Sequence, residues 1–359
     1  MEEYYQQQLL CLTGKVSPAS RTAARECRCQ WDSIAKPLNG LGEFENMICR
    51  IGAIQGTSQV RLGKRAVAVF CGDNGVTAEG VTQTDSSVTA VVTENFARGI
   101  ASVNRMAALA DVDVVPVDLG VAGEIREPGV QNCKIARGTG NIRREPAMTR
   151  EQALAAIHEG IRLAGELHGS GYDILAAGEM GIGNTTTSGA IVSVMLGEPV
   201  EAVTGRGAGL SRAGLEQKIQ VIRDAIALHR PDPEDPVQVL ADLGGFDIAG
   251  ITGFLLGGAI YRIPVVLDGM ISLAAALLAR KLCPLVTEYL LASHIGREPA
   301  CKKALERLGL RPVICGDLAL GEGTGAVMLF PLLDMACEVY GENPTFSEIR
   351  IEAYERFED

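Results

Sequence analysis

Gly178-Glu-Met-Gly-Ile-Gly-Asn-Thr-Thr-Thr-Ser188 stands between a short apolar run at 172–177 and a run of small and apolar residues at 188–196. The first run has the length of a buried strand and the second the composition of a buried helix start. A strand, a glycine-rich turn carrying an acid, and hydroxyls at a helix N-terminus together present backbone N–H groups to an anion. Gly181 and Gly183 let the main chain approach a ligand with no Cβ in the way. Thr185, Thr186 and Thr187 can cap the helix or donate to phosphate oxygens, and the helix dipole adds to the attraction. The same residues also suit a plain βα turn capped by threonine. The stretch therefore speaks for the fold before it speaks for chemistry.

Working outward, residues 66–71 read as a strand closed by Gly72-Asp-Asn-Gly-Val76, and 112–118 as another that ends on an acid and a glycine. Between them a helix is expected from about 86 to 110, with Val88, Val91, Val92 and Phe96 on one side. A helix over 149–167 starts at the capping sequence Met148-Thr-Arg-Glu. Downstream, Val203-Thr-Gly-Arg-Gly-Ala-Gly-Leu210 is a second glycine-rich turn, and the helix after it carries Lys218. Gly244-Gly-Phe-Asp-Ile-Ala-Gly250 opens a helix whose small residues permit close backbone packing. Residues 264–267 form a strand ending at Asp268-Gly269, 271–282 a buried helix, and 312–315 the last strand. The loop 318–325 leads into a final long helix. Residues 1–60 read as helices, one from the capped start Ser17-Pro-Ala-Ser-Arg-Thr and another over 38–54 that ends near Gly56. Strands alternating with helices imply an α/β fold: a doubly wound, mostly parallel sheet with helices on both faces.

Several strands end in an acid beside a glycine: Asp73, Asp118, Glu179, Asp268, and Glu322 shortly after the last. The carboxyl ends of parallel strands share one edge, where ligands bind. The expectation is a cleft with glycine-lined anion sites and several carboxylates able to accept a hydroxyl or a proton. Glycine amides and Lys218 for a phosphate, with Glu or Asp for ribose hydroxyls, fit a sugar phosphate.

Composition narrows the field. With 359 residues the chain has room for two domains, or one large α/β unit with an appendage. An apolar fraction of 47% with only 4% aromatic residues describes an aliphatic core. A net charge of −11 argues against nucleic acid or an anionic membrane as partner, while a phosphate needs only a few local donors. The cysteines form no CxxC pair and MEEYYQQQLLCLTGKV has no secretory pattern, so free thiols in the cytoplasm are expected. No apolar run is long and uncharged enough to read as a membrane helix. No GxGxxG follows the first strand, Gly205-Arg-Gly-Ala-Gly209 is too compressed for a dinucleotide turn, and no GxxxxGK[ST] is present. His158, His168, His229 and His294 lack metal-ligand spacing, so neither a catalytic metal nor a cofactor is expected. Among them His294 is the one placed to face a cleft.

GEMGIGNTTTS, TGRGAGL, GGFDIAG, VVLDG, ASH and LGEGTGA, in this order, resemble the nicotinate-nucleotide–dimethylbenzimidazole phosphoribosyltransferase (CobT) family of cobamide biosynthesis. The resemblance runs from about Ala66 through the final helix, and GDNGVTAEGVTQT looks closest to its clostridial-type branch. It implies an α/β domain over 61–322, a small helical domain from 1–60 with 323–359, and a homodimer. It implies transfer of the phosphoribosyl group of nicotinate mononucleotide to an aromatic base, releasing nicotinate. Nicotinate departs from a positively charged pyridinium nitrogen and needs no general acid. The incoming benzimidazole must lose an N–H proton, so one base suffices, and by motif match it is Glu322. For phosphate the match points to Gly181, Gly183, Asn184, Thr185, Gly205 and Gly207, with Lys218 as counter-charge; a solvated helix face is the bland reading of that lysine. Glu179, Asp247, Asp268 and Ser293 are ribose-binding or supporting candidates, or else caps and buried turns.

The acceptor pocket departs from the better-known enterobacterial pattern, which carries a proline and a glutamine after the first turn. Here Asp85 and Val91 stand at those places, and Gln83 substitutes from a different position. Asp85 and Ser86 would make the site more polar and admit purines or phenols. Met180 and Leu320 are expected to line the base, or to be simple core. Relatives that act on phenols form a two-subunit variant, so a phenolic or purine acceptor with a paralogous partner is one alternative. A non-catalytic nucleotide-binding subunit is the other.

Overall fold

In the computed structural model, which describes residues 1–356, strand β1 (Arg65–Gly72) is buried along its whole length. Ala66, Ala68 and Phe70 enter one apolar cluster, while Val67, Val69 and Cys71 enter a second. Side chains of a strand alternate between faces, so this strand is apolar throughout because helices cover both sides. β2 (Asp113–Gly120) lies parallel to it on one side and continues to the two-residue β3 (Gln131–Asn132). On the other side lie β4 (Ile174–Met180), β5 (Val265–Leu267) and β6 (Leu290–Ala292), all parallel. The order β3-β2-β1-β4-β5-β6 starts in the middle, winds outward, and returns to build the other half. The loops after β1 and β4 diverge at that reversal and leave a crevice at the carboxyl ends.

The expected doubly wound parallel sheet is therefore present. One face carries the helices Arg150–Gly169, Phe246–Tyr261 and Met270–Leu282. The other carries Glu43–Gln55, Ser102–Leu109 and Thr324–Glu342, with Arg21–Ser33 behind them. The two terminal segments meet there: Trp31 packs on Tyr340 with ring centroids 4.9 Å apart, and the Ala35 amide donates to the Pro344 carbonyl at 2.9 Å. Small residues explain how the first layer closes. A Cβ on Gly160 would stand 2.6 Å from the amide of Phe254, and one on Gly253 would stand 2.7 Å from the carbonyl carbon of Ile157. The helices Arg150–Gly169 and Phe246–Tyr261 touch backbone to backbone.

Three features differ from the sequence reading. The last strand, β8 (Ile314–Leu318), is not in the main sheet; it pairs in parallel with β7 (His294–Gly296) as a separate ribbon. The chain leaves the main sheet at Ser293, whose hydroxyl turns back to the carbonyl of Leu267 at 2.6 Å. β6, at three residues, is too short to be picked out by periodicity. The helix expected over 86–110 is two, Ser87–Ala97 and Ser102–Leu109. Asn104 pins the break by accepting from the Ala101 amide at 3.2 Å and donating to the Phe96 carbonyl at 3.0 Å. The capping expected at Thr149 is present, reciprocated by Gln152. Among the described residues no helix is long and apolar enough to cross a membrane.

Candidate active site

A cleft of about 300 Å³ opens at the reversal point, above the ends of β4 and β5. Its walls are two glycine turns, the loop 81–84, the Asp268-Gly269 turn, His294, and the loop 318–322. The first glycine turn follows β4 directly. Gly183 has φ 96°, a left-handed value that glycine adopts freely, and from it the helix Asn184–Leu196 begins. Gly181 is held so close to its neighbours that a Cβ would meet Asp247 Oδ2 at 2.7 Å. The turn thus brings a helix N-terminus to the border of the cleft.

At and behind the turn lies partly and fully buried charge. Lys218, on the helix Arg212–His229, is fully buried, which removes the solvated-face reading. Its Nζ donates to Thr185 Oγ1 at 2.8 Å, and burial pushes its ammonium down to about 8. Asn184 Nδ2 donates both to Asp247 Oδ2 at 2.9 Å and to Glu179 Oε2, joining two carboxylates through one amide. Burial pushes Glu179 up to about 8 and Asp247 up to about 6, with the Asn184 hydrogen bond pulling each partly back.

Glu322 lines the same cleft as Gly181 and Gly207. The helix after it starts at Thr324, so Glu322 precedes that helix rather than occupying its first turn. It has φ 61° between Gly321 and Gly323, a strained conformation for a residue with a Cβ. Its Oε2 accepts from the Val103 amide at 2.9 Å, in the first turn of the helix Ser102–Leu109. Burial raises its acid above the ordinary carboxylate range, and the Val103 and Ser102 amides pull it down. A half-buried carboxylate fixed by one oxygen in a cleft is equipped to take a proton.

Of the strand-ending acids, Glu179, Asp268 and Glu322 line the cleft. Asp73 and Asp118 hold loops instead, accepting from the Ala122 amide at 2.8 Å and the Val121 amide at 2.9 Å. Asp268 also caps the final helix through the amides of Gly323 (3.2 Å) and Ala326 (3.1 Å). Gly183, Asn184, Thr185, Met180, Gln83 and the exposed Leu320 line the cleft as well. Gln83 reaches across to the carbonyl of Gly209 and so ties the loop 81–84 to the second glycine turn. Lys218, Asp247, Ser293 and Gly205 stand behind the walls. Asp85, Ser86 and Val91 do not border the cleft. Asp85 accepts from the Ser87 amide at 2.9 Å, Ser86 meets Thr77 at 3.3 Å, and Val91 faces outward while Val92 faces the cleft. His294 borders the cleft and burial holds it below the ordinary imidazole range. Glu298 also borders it and is absent from the sequence reading; it follows β7 as the other acids follow their strands, but a strand of three residues gives no local signal.

The raised Glu179 acid has a measurable consequence. Its folded-state value near 8 exceeds the ordinary carboxylate value, so the stability it contributes is complete below about pH 4 and is lost as pH rises toward 8. Glu179→Gln keeps the Asn184 partner but not the titration. In thermal melts from pH 5 to pH 9, the variant is expected to gain on the parent as pH rises. A constant difference between the two would show that Glu179 is ionised throughout.

A family model described as phosphoribosyltransferase matches residues 16–351. The chain is 44% identical over 327 residues to a nicotinate-nucleotide–dimethylbenzimidazole phosphoribosyltransferase of Ruminiclostridium cellulolyticum, covering 91% of this chain and 93% of that protein. It is 44% identical over 323 residues to a protein of the same name in Clostridium acetobutylicum, covering 90% and 92%. The crystal structure of CobT from Thermus thermophilus superposes with a TM-score of 0.88 at 41% identity, over 92% of this chain and 99% of that one.

Proposed function

We propose, from the premise that this chain belongs to the nicotinate-nucleotide–dimethylbenzimidazole phosphoribosyltransferase (CobT) family, that it transfers the phosphoribosyl group of nicotinate mononucleotide to 5,6-dimethylbenzimidazole. The products are α-ribazole 5′-phosphate and nicotinate, in the activation of a cobamide lower ligand. The observation that carries this reading is one cleft bordered both by a glycine-amide turn backed by a buried lysine and by the carboxylate of Glu322. The amides at Gly181, Gly183 and Gly207, with Thr185 and the field of Lys218, take the 5′-phosphate; Asn184, whose own amide donates to the Gly181 carbonyl at 3.0 Å and whose side chain holds Asp247 and Glu179, shapes the turn instead. Glu179 and Asp268 accept ribose hydroxyls, while Asp247 and Ser293 hold them in place from behind. Gln83, Met180, Val92 and Leu320 bound the acceptor.

The chemistry asks little of the protein beyond placement. The C1′–N bond to a pyridinium ring breaks and leaves neutral nicotinate nitrogen, while the bond from benzimidazole nitrogen to C1′ forms on the opposite face. That inversion turns a β-nucleotide into an α-riboside. The new cation sheds its N–H proton to Glu322. Asp85 and Ser86 stand outside the cleft, so no observation favours a phenol or purine over a benzimidazole. The chain works as a cytoplasmic homodimer in this reading, supported by apolar side chains left bare at Leu109 (90% exposed) and Met335 (65%).

Purified protein incubated with nicotinate mononucleotide and a panel of benzimidazoles, adenine and phenols, with products identified by mass, tests the activity. A riboside phosphate of dimethylbenzimidazole is expected to dominate. No product with any acceptor would overturn the assignment.

A further inference from the structure

Glu298, just beyond β7, places an acid of this chain against the glycine turn assigned to the phosphate. Its Oε1 accepts from the Gly207 amide at 2.9 Å. A Cβ on Gly205 would stand 2.6 Å from its carboxyl carbon and 2.8 Å from Oε1, so the turn is closed around this carboxylate. The other oxygen, Oε2, is buried and has no hydrogen-bond partner. A carboxylate oxygen in that state is held at a cost, because it has lost water and gained no donor. Lys218 Nζ lies behind Gly207, 3.4 Å from where a Cβ on that glycine would be, and the negative charge of Glu298 favours its charged form.

A carboxylate and a phosphate seek the same donors: backbone amides at a turn and a nearby ammonium. A buried lysine with no counter-ion is costly, so an acid beside it stabilises the empty protein. The same acid stands in the way of an incoming dianion. We infer that Glu298 is an internal stand-in for the nucleotide's phosphate, engaging the Gly207 amide beside Lys218 in the empty enzyme and leaving when phosphate enters. Glu298 therefore sets the affinity for anionic nucleotides, since ligand must displace it before making its own contacts. The inference rests on the phosphate placement proposed above, though not on the identity of the acceptor.

The test compares parent, Glu298→Gln and Glu298→Ala by calorimetric titration with inorganic phosphate, nicotinate mononucleotide and the uncharged-tail control nicotinate riboside. Melting curves first establish that each variant is folded. Both variants are expected to bind phosphate and the mononucleotide more tightly, by roughly tenfold, the difference between a charge-assisted and a neutral hydrogen bond. Riboside binding should stay at the parent value. Weaker binding of all three ligands would make Glu298 a support for the second turn and overturn the inference. Unchanged phosphate binding, or none in any form of the protein, would also overturn it. Tighter phosphate binding in a protein that forms no riboside phosphate with any base would leave the stand-in role intact and remove the transferase reading alone.

Discussion

Glu322→Gln is expected to lower single-turnover formation of α-ribazole 5′-phosphate by ~10²–10⁴-fold, the usual contribution of a positioned general base. Nicotinate mononucleotide should bind as before. Glutamine has nearly the same shape, and its carbonyl oxygen can still accept from the Val103 amide that anchors Glu322 at 2.9 Å. What it lacks is the capacity to take the benzimidazole proton. The loss should therefore appear in kcat with little change in the nucleotide's KM. The parent's pH profile carries a second signature. Glu322 must be ionised to act, and burial lifts its acid above the ordinary carboxylate range. The rate should fall as pH drops through that raised value, and this acid limb should vanish in the variant. Turnover equal to the parent's would strip Glu322 of the role.

Gly253→Ala is expected to be the most damaging small change to stability. Its new methyl would lie 2.7 Å from the Ile157 carbonyl carbon and 2.9 Å from the Ile157 Cα, both backbone atoms of the facing helix. Backbone cannot rotate aside as a side chain does, so the helices Arg150–Gly169 and Phe246–Tyr261 must separate. Overpacking of this kind costs ~1–3 kcal/mol and sometimes more. Gly169→Ala, at the open end of the same helix pair with nothing near its Cβ position, is the control. There alanine should be neutral or gain up to about 1 kcal/mol through helix propensity. Urea midpoints of the two variants decide the matter; a Gly253→Ala midpoint at the parent's value would mean that the helices are not held backbone to backbone.

The parallel sheet was readable because its central strands are long, apolar on both faces, and closed by glycine. β1, β2 and β4 meet that description, and β5 is marked by its Asp268-Gly269 ending. β6 and β7 are three residues each and differ from surrounding loop only through their pairing, which local sequence does not encode. The break at 98–101 was hidden because the apolar pattern of one helix runs on into the next; the clamp at Asn104 is a polar contact that periodicity overlooks. At the cleft, motif order located the glycine turns and Glu322. It could not distinguish residues that border the cleft from those one layer behind, such as Lys218 and Asp247. Nor could it tell Val91 from Val92, adjacent residues on opposite sides of one helix wall. Such choices depend on helix rotation, which only packing fixes.

In the proposed transfer, the acid that receives the proton is also the tether of a helix. Glu322 holds the first turn of Ser102–Leu109, and Asn104 clips that helix to the end of Ser87–Ala97, which borders the cleft through Val92. An anion grips an amide hydrogen more firmly than a neutral acid does. On that proposal, each catalytic cycle slackens this tether as the riboside forms and tightens it when solvent carries the proton off. Under that proposal, making the product and loosening the wall that confines it are geared to one and the same hydrogen ion.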